Sequence, residues 1–119
     1  MSDVWDVIVV GAGTAGLPTA IFAARRGGRV LVIEAAPEVG GTLFLSKGRM
    51  SAAGSRLQAA KGIADSADEH CDEVMRISKN TADPMLVRLA VDNAADTVDW
   101  LMDNHFEAEP DHPVFVDTH

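Results

Sequence analysis

The stretch VVGAGTAGLP, residues 9–18, sets glycines at 11, 13 and 16 directly behind an apolar run. That run, Val4 to Val10, is rich in β-branched residues and holds one acid, Asp6, as a buried parallel strand would. Behind the glycines, Ala20, Ala23 and Ala24 fall at helical spacing, and Gly27 and Gly28 close the segment. Pro18 fits a helix only in its first turn, where a missing N–H costs little. Arg29 to Glu34, RVLVIE, then reads as a second buried strand. The order strand, glycine loop, helix, strand predicts a right-handed βαβ crossover.

Glycines at this spacing occur by chance, but the context makes them a dinucleotide fingerprint. Gly11 allows the tight turn, Gly13 lets backbone approach a pyrophosphate, and Gly16 lets the helix lie close to the strand. The helix N-terminus offers N–H donors and a partial positive charge. Glu34, ending the second strand, stands where a carboxylate would accept from a ribose hydroxyl. The fingerprint alone leaves NAD and FAD equally open.

Composition narrows the partners. The chain has 119 residues, 47% of them hydrophobic and 24% charged, which suits one soluble domain. Ten Lys and Arg against 18 Asp and Glu leave a net charge of -8, which disfavours nucleic acid and anionic membrane as partners. No apolar run approaches the roughly 20 residues of a membrane span. The opening MSDVWDV lacks the positive start of a signal peptide, so the expected location is cytoplasmic. A single cysteine, Cys71, excludes an internal disulfide and is expected to be a buried, inert thiol on a helix face with Ala67 and Val74. His70 beside it points elsewhere, and His112 and His119 have no companions at ligand spacing, so no metal site is expected.

Farther along, Gly40 to Ser55 is small and polar and reads as irregular. Ser66 and Glu69 form a capping box that opens a helix to about Ile77. Asp83–Pro84 gives an N-cap followed by proline. Val87, Ala90, Val91, Ala94, Val98, Leu101 and Met102 then follow a 3.6 period, which predicts one long helix over 84–104. It would end at Asn104–His105, residues that tolerate the left-handed conformation. Trp100 and Leu101 are expected in the core. The 113–116 stretch, PVFV, is a short strand candidate within an acidic tail.

The segment after Glu34 separates the cofactors. APEVGGT places Gly40–Gly41 just beyond the second strand, and this resembles the second glycine signature of FAD-dependent oxidoreductases. Beyond it, GGTLFLSKGRMSAAGSRLQAAKGIADS resembles the fumarate reductase and succinate dehydrogenase flavoprotein family, which also includes ketosteroid and urocanate enzymes. The likeness runs from about Asp6 to Phe106 and includes Asp83, Pro84, Leu86, Val87, Trp100 and Leu101.

The resemblance implies FAD as cofactor, contacted by Gly11, Gly13, Ala15, Gly16, Glu34, Ala35, Gly41 and Thr42. It implies further contacts by Ser46, Gly48, Met50, Ser51 and Ala52 beside the isoalloxazine. Lys47 and Arg49 stand where many relatives carry small residues; a cation close to the flavin would raise its potential. His105 stands where they carry a helix-ending glycine. The family runs to several hundred residues and holds its hydride-transfer base and substrate-binding arginines in later parts, so no catalytic residue is expected here.

The expected fold class is therefore α/β, a Rossmann-like βαβ FAD-binding unit followed by two helices and incomplete without further chain. The expected division is 1–56 for the βαβ unit and flavin loop, 57–106 for a helical segment, and 107–119 for the tail. The expected function is an FAD-binding segment or small subunit of an oxidoreductase that moves a hydride to or from a carbon–carbon bond beside a carbonyl or carboxylate. Its expected partners are a small-molecule substrate and the remaining polypeptide of the same flavoprotein. A non-catalytic FAD or ADP module, or half of an NAD-dependent dehydrogenase, are the alternatives.

Overall fold

The structure is a computed structural model, and it describes residues 4–108. The 113–116 strand candidate, most of the tail, His112 and His119 lie outside the described residues. The chain divides into two compact units, Met1–Arg49 and Met50–His119.

The first unit is the anticipated strand, helix, strand. β1 (Val7–Val10) pairs in parallel with β2 (Val30–Ile33), with Val7 opposite Val30 and Val10 opposite Ile33. α1 (Gly16–Arg25) connects them. Both strands are shorter than their apolar runs. Asp6, the acid in the first run, lies just ahead of β1 and accepts from the Arg29 N–H at 2.7 Å, closing the start of the sheet. The Arg29 guanidinium sits 5.2 Å from the centre of the Trp5 ring, a cation–π contact.

α1 is bounded as its sequence predicts. Pro18 occupies the first turn. At the other end Gly27 has φ +86°, and the N–H groups of Gly27 and Gly28 reach the carbonyls of Ala24 and Ala23. That pair of bonds is a Schellman closure. A short helix, α2 (Thr42–Ser46), follows within the stretch expected to be irregular. It ends on Lys47, which takes φ 54° without being glycine.

The second unit is helical: α3 (Arg56–Ala60), α4 (Ala67–Ile77), α5 (Pro84–Asp92) and α6 (Ala94–Asp103). Ser66 caps α4 by accepting from the Glu69 N–H, but the reciprocal half of the capping box is displaced. The Ser66 N–H goes to Asp65 Oδ1 at 2.8 Å instead. Asp83 accepts from the N–H groups of Met85 and Leu86, with Pro84 in the first position, as expected.

The single helix expected over 84–104 is two helices. Asn93 ends α5 and begins α6 at φ -104°, ψ 0°. Its side chain donates to the Leu89 carbonyl at 2.8 Å, while Thr97 returns its hydroxyl to the Asn93 carbonyl. Asn competes for backbone partners in this way and weakens a helix interior, so an uninterrupted apolar period did not guarantee an uninterrupted helix. His105 takes φ 72° at the end of α6, the left-handed role foreseen for it.

Arg56 fastens α3 to α6, with its Nη2 donating to Asp103 at 2.8 Å and to the Asp99 carbonyl at 2.8 Å. Arg88 joins α5 to α4 through Asp68 and pairs with Asp92 along its own helix. Gln58 is buried with its needs met, accepting from the Gly54 N–H and donating to Asp65. Cys71 is half-buried. Among the described residues no helix is long and apolar enough to cross a membrane.

Few side chains are enclosed. Among the described residues the buried apolar ones are Val9 and Ala12 in the first unit and Ala53, Val91 and Val98 in the second, and none is large. Val9 lies on the face covered by α1. On the opposite face Ile8 is 57% exposed and Val10 84% exposed. On α5, Met85, Leu86 and Leu89 are likewise exposed. So much uncovered apolar surface for so small a core predicts a loosely packed chain in isolation. The 119 residues alone should bind a hydrophobic dye and give a broad, weakly cooperative melt in calorimetry. A sharp transition without dye binding would contradict this.

Candidate functional site

The site is built on the turn from β1 into α1. Gly11 has φ +97°, and its N–H still donates to the Ile33 carbonyl at 2.7 Å, so the chain turns at the last rung of the sheet. Gly16 is glycine because nothing else fits. A Cβ there would lie 1.8 Å from the Gly11 carbonyl oxygen and 3.2 Å from Val9 Cγ1. Gly13 is the reverse case, since a Cβ there would meet nothing within 4 Å. Open space beside a glycine is what a backbone-approaching ligand needs.

α1 begins without a side-chain cap and with no acidic residue in its first turn. The Leu17 N–H reaches the Gly13 carbonyl, but among the described residues the N–H groups of Gly13, Thr14, Ala15 and Gly16 find no protein acceptor. A helix start with free donors and an uncompensated dipole is a ready seat for an anion.

Glu34 and the second glycine pair close around this loop. Glu34 Oε2 accepts from the Ala12 N–H at 2.7 Å, and Oε1 accepts from the Ala36 N–H at 2.8 Å. The Gly40 N–H donates to the Ala12 carbonyl at 2.7 Å. A Cβ on Gly41 would lie 3.7 Å from the Gly13 Cα, so the two glycine signatures touch. Gly40 and Gly41 both have positive φ, which explains the GG pair. Hydrogen bonds from the N–H groups of Ala36, Ala12 and Ala35 hold the Glu34 carboxyl below its ordinary value of 4.5, against a smaller opposing effect of desolvation.

Of the residues assigned from sequence, Gly11, Gly13, Ala15, Gly16, Glu34, Ala35, Gly41 and Thr42 lie on this loop, at the end of β2 or at the start of α2. Ser46 and Gly48 lie at the far end of α2, where the Ser46 hydroxyl donates to the Leu43 carbonyl. Lys47 and Arg49 are exposed beside them. Met50, Ser51 and Ala52 open the second unit. One participant was not singled out from sequence: Ala12, 1% exposed, with its N–H and its carbonyl both bonded; Gly40, marked there as half of the second glycine pair, was not counted among the contacts. Nothing in the sequence marks Ala12.

Residues 6–117 match the FAD binding domain family, and the chain belongs to it. It is 40% identical over 99 residues to an NADH:fumarate oxidoreductase of Klebsiella pneumoniae, covering 83% of this chain and 11% of that protein. Among solved structures it matches an open conformation of a flavocytochrome c3 fumarate reductase, with TM-score 0.75 and 33% identity over 87% of this chain and 18% of that one. It also matches a 3-ketosteroid-Δ4-(5α)-dehydrogenase of Rhodococcus jostii, with TM-score 0.73 and 32% identity over 85% of this chain and 21% of that one. The chain thus spans only about a tenth to a fifth of these proteins' length.

The two inner glycines should respond differently to a methyl group. Gly16→Ala should weaken the β1–α1 contact by roughly 3 kcal/mol, because backbone must move. It should strip amide-exchange protection from Gly11, whereas Gly13→Ala should leave that protection intact.

A carboxyl with a lowered value steadies the folded loop above its ordinary value, and that contribution is lost as pH falls through the lowered one. The Ala12 amide resonance should therefore titrate with a midpoint below pH 4.5, followed by proton NMR.

Proposed function

We propose that this chain is the FAD-binding segment of a flavin-dependent oxidoreductase, and that the loop at 11–16 seats the cofactor's pyrophosphate. The observation that carries the reading is the set of free N–H groups at the start of α1, set beside the open flank of Gly13. A pyrophosphate supplies the acceptors those donors lack, and the helix dipole favours its charge.

The residues present suit the group. Gly11, Gly13, Ala15 and Gly16 would face the phosphates with backbone alone. Glu34 retains acceptor capacity on both oxygens beyond its two strong bonds, enough to take a ribose hydroxyl. Ala35 follows it as a small residue that leaves room for the ribose. Gly41 and Thr42 begin α2 against Gly13 and would extend the donor surface along the pyrophosphate. Ser46, Gly48, Met50, Ser51 and Ala52 are assigned to the flavin ring by sequence resemblance alone.

Bound there, FAD would supply hydride exchange with a carbon–carbon bond beside a carbonyl or carboxylate. The relatives' names support that substrate class: fumarate carries a double bond between two carboxylates, and a 3-ketosteroid carries a ring ketone. None of the residues assigned here touches a reacting carbon, so the chain's own work is to bind and orient. The acids, bases and clamping groups of catalysis belong to further polypeptide of the same flavoprotein. The uncovered sheet face and the small share of the relatives' length support that partner.

The test is cofactor retention. The purified protein should carry flavin absorbance with one FAD per chain when its remaining polypeptide is present, and Gly13→Val should lose it by filling the open flank. Stoichiometric FAD in Gly13→Val would sink the assignment of the loop. Flavin retention without turnover of any unsaturated acid or ketone would move the weight to a non-catalytic module.

A further inference from the structure

The most enclosed point of the cradle is a peptide group and not a side chain. Ala12 is 1% exposed; its N–H is held by Glu34 at 2.7 Å and its carbonyl by the Gly40 N–H at 2.7 Å. The second oxygen of Glu34 holds the Ala36 N–H at 2.8 Å. One carboxylate thus ties the 11–16 loop to the segment after β2, and the same peptide ties on the second glycine pair.

Glycine loops are conformationally permissive, and a ligand that must order one loses affinity to the lost entropy. Gly11 at φ +97° and Gly40 at φ +110° flank Ala12 in conformations that side-chain-bearing residues rarely adopt. Something must select them. We propose that Glu34 is a positioning residue that fixes the shape of the 11–16 loop through Ala12, independently of any contact with a nucleotide. The proposal rests on the reading of the loop as a pyrophosphate seat, and it adds a task separate from any contact with ribose.

Charge explains why the residue is an acid. A carboxylate beside an anion seat is unfavourable unless donors offset it, and Ala12 and Ala36 do so from the protein side. Both oxygens must accept at once. A carboxamide offers one acceptor oxygen and one NH2 donor, so Glu34→Gln keeps one of the two bonds and sets a donor against the other N–H.

The experiment separates the two tasks with a ligand that lacks the ribose hydroxyls. ADP and 2′,3′-dideoxy-ADP are titrated calorimetrically into the flavin-free protein with its remaining polypeptide present, unmutated and as Glu34→Gln and Glu34→Ala. A residue that serves only the ribose leaves dideoxy-ADP indifferent to its replacement. A positioning residue weakens dideoxy-ADP as well, by about fivefold or more for a lost hydrogen bond to a charged group. With it, the Ala12 amide proton should move upfield in Glu34→Gln while amide-exchange protection of Gly11 is retained.

Unchanged affinity for dideoxy-ADP in both variants overturns the proposal. So does loss of Gly11 protection in Glu34→Gln, which would make Glu34 a support of the whole sheet end and not of the loop. Failure of the unmutated protein, with its remaining polypeptide present, to bind either nucleotide is a different result: it removes the pyrophosphate seat itself, and the proposal with it.

Discussion

The contact between Gly16 and the Gly11 carbonyl is the constraint from which the first unit follows. With no room for even a methyl group, α1 must begin directly against the end of β1. That placement leaves the first N–H groups of the helix facing the loop it has just left, with no acceptor in the protein. It also drives the Ala12 peptide inward, where water cannot serve it and protein groups must. Glu34 and Gly40 answer that need from two later segments. Tight packing and free donors are therefore two results of one glycine.

The second unit solves its polar requirements by other means. Side chains of Ser55, Ser66 and Asp83 cap three of its helices, and the buried Gln58 is held by Gly54 and Asp65. Arg56 and Arg88 bridge helices through Asp99, Asp103 and Asp68, and Arg88 also pairs with Asp92 on its own helix, which absorbs part of the acidic excess. These pairs are exposed, so they set register between helices more than they add stability. At Asn93 the chain passes from α5 into α6, and α6 meets both α5 and α3.

What could be read from sequence was whatever depends on local chemistry. The glycine loop, the Schellman close at Gly27–Gly28, the caps at Ser66 and Asp83 and the left-handed His105 each rest on one residue's own geometry. The family and its cofactor were legible because two glycine signatures stand in register, and a match over 6–117 bears this out. What escaped was competition between groups. Asn93 could have continued the helix, and its side chain chose the Leu89 carbonyl. Glu69 could have completed a capping box, and Asp65 took the Ser66 N–H first. Ala12 has no side chain to announce it, and its importance lies entirely in the partners of its peptide group.

The disagreement between pattern and burial carries the remaining information. Ile8 and Val10 alternate with Val7 and Val9 in a strand that is apolar throughout, a pattern suited to a parallel sheet covered on both faces. α1 covers one face, and Val9 is buried beneath it; the other face stays open. Ile33 pairs with Val10 and, itself exposed, extends the same bare surface onto β2. A sequence shaped only by these residues would gain from polar groups at such positions, since exposed Val and Ile cost solubility and return no burial. The second unit shows the same mismatch on α5, where Met85, Leu86 and Leu89 face solvent. Apolar side chains kept at uncovered positions in both units fit a chain whose core is completed by polypeptide beyond these residues. On that view the cradle is finished locally, by backbone bonds among near neighbours, while the sheet that carries it is finished only in company.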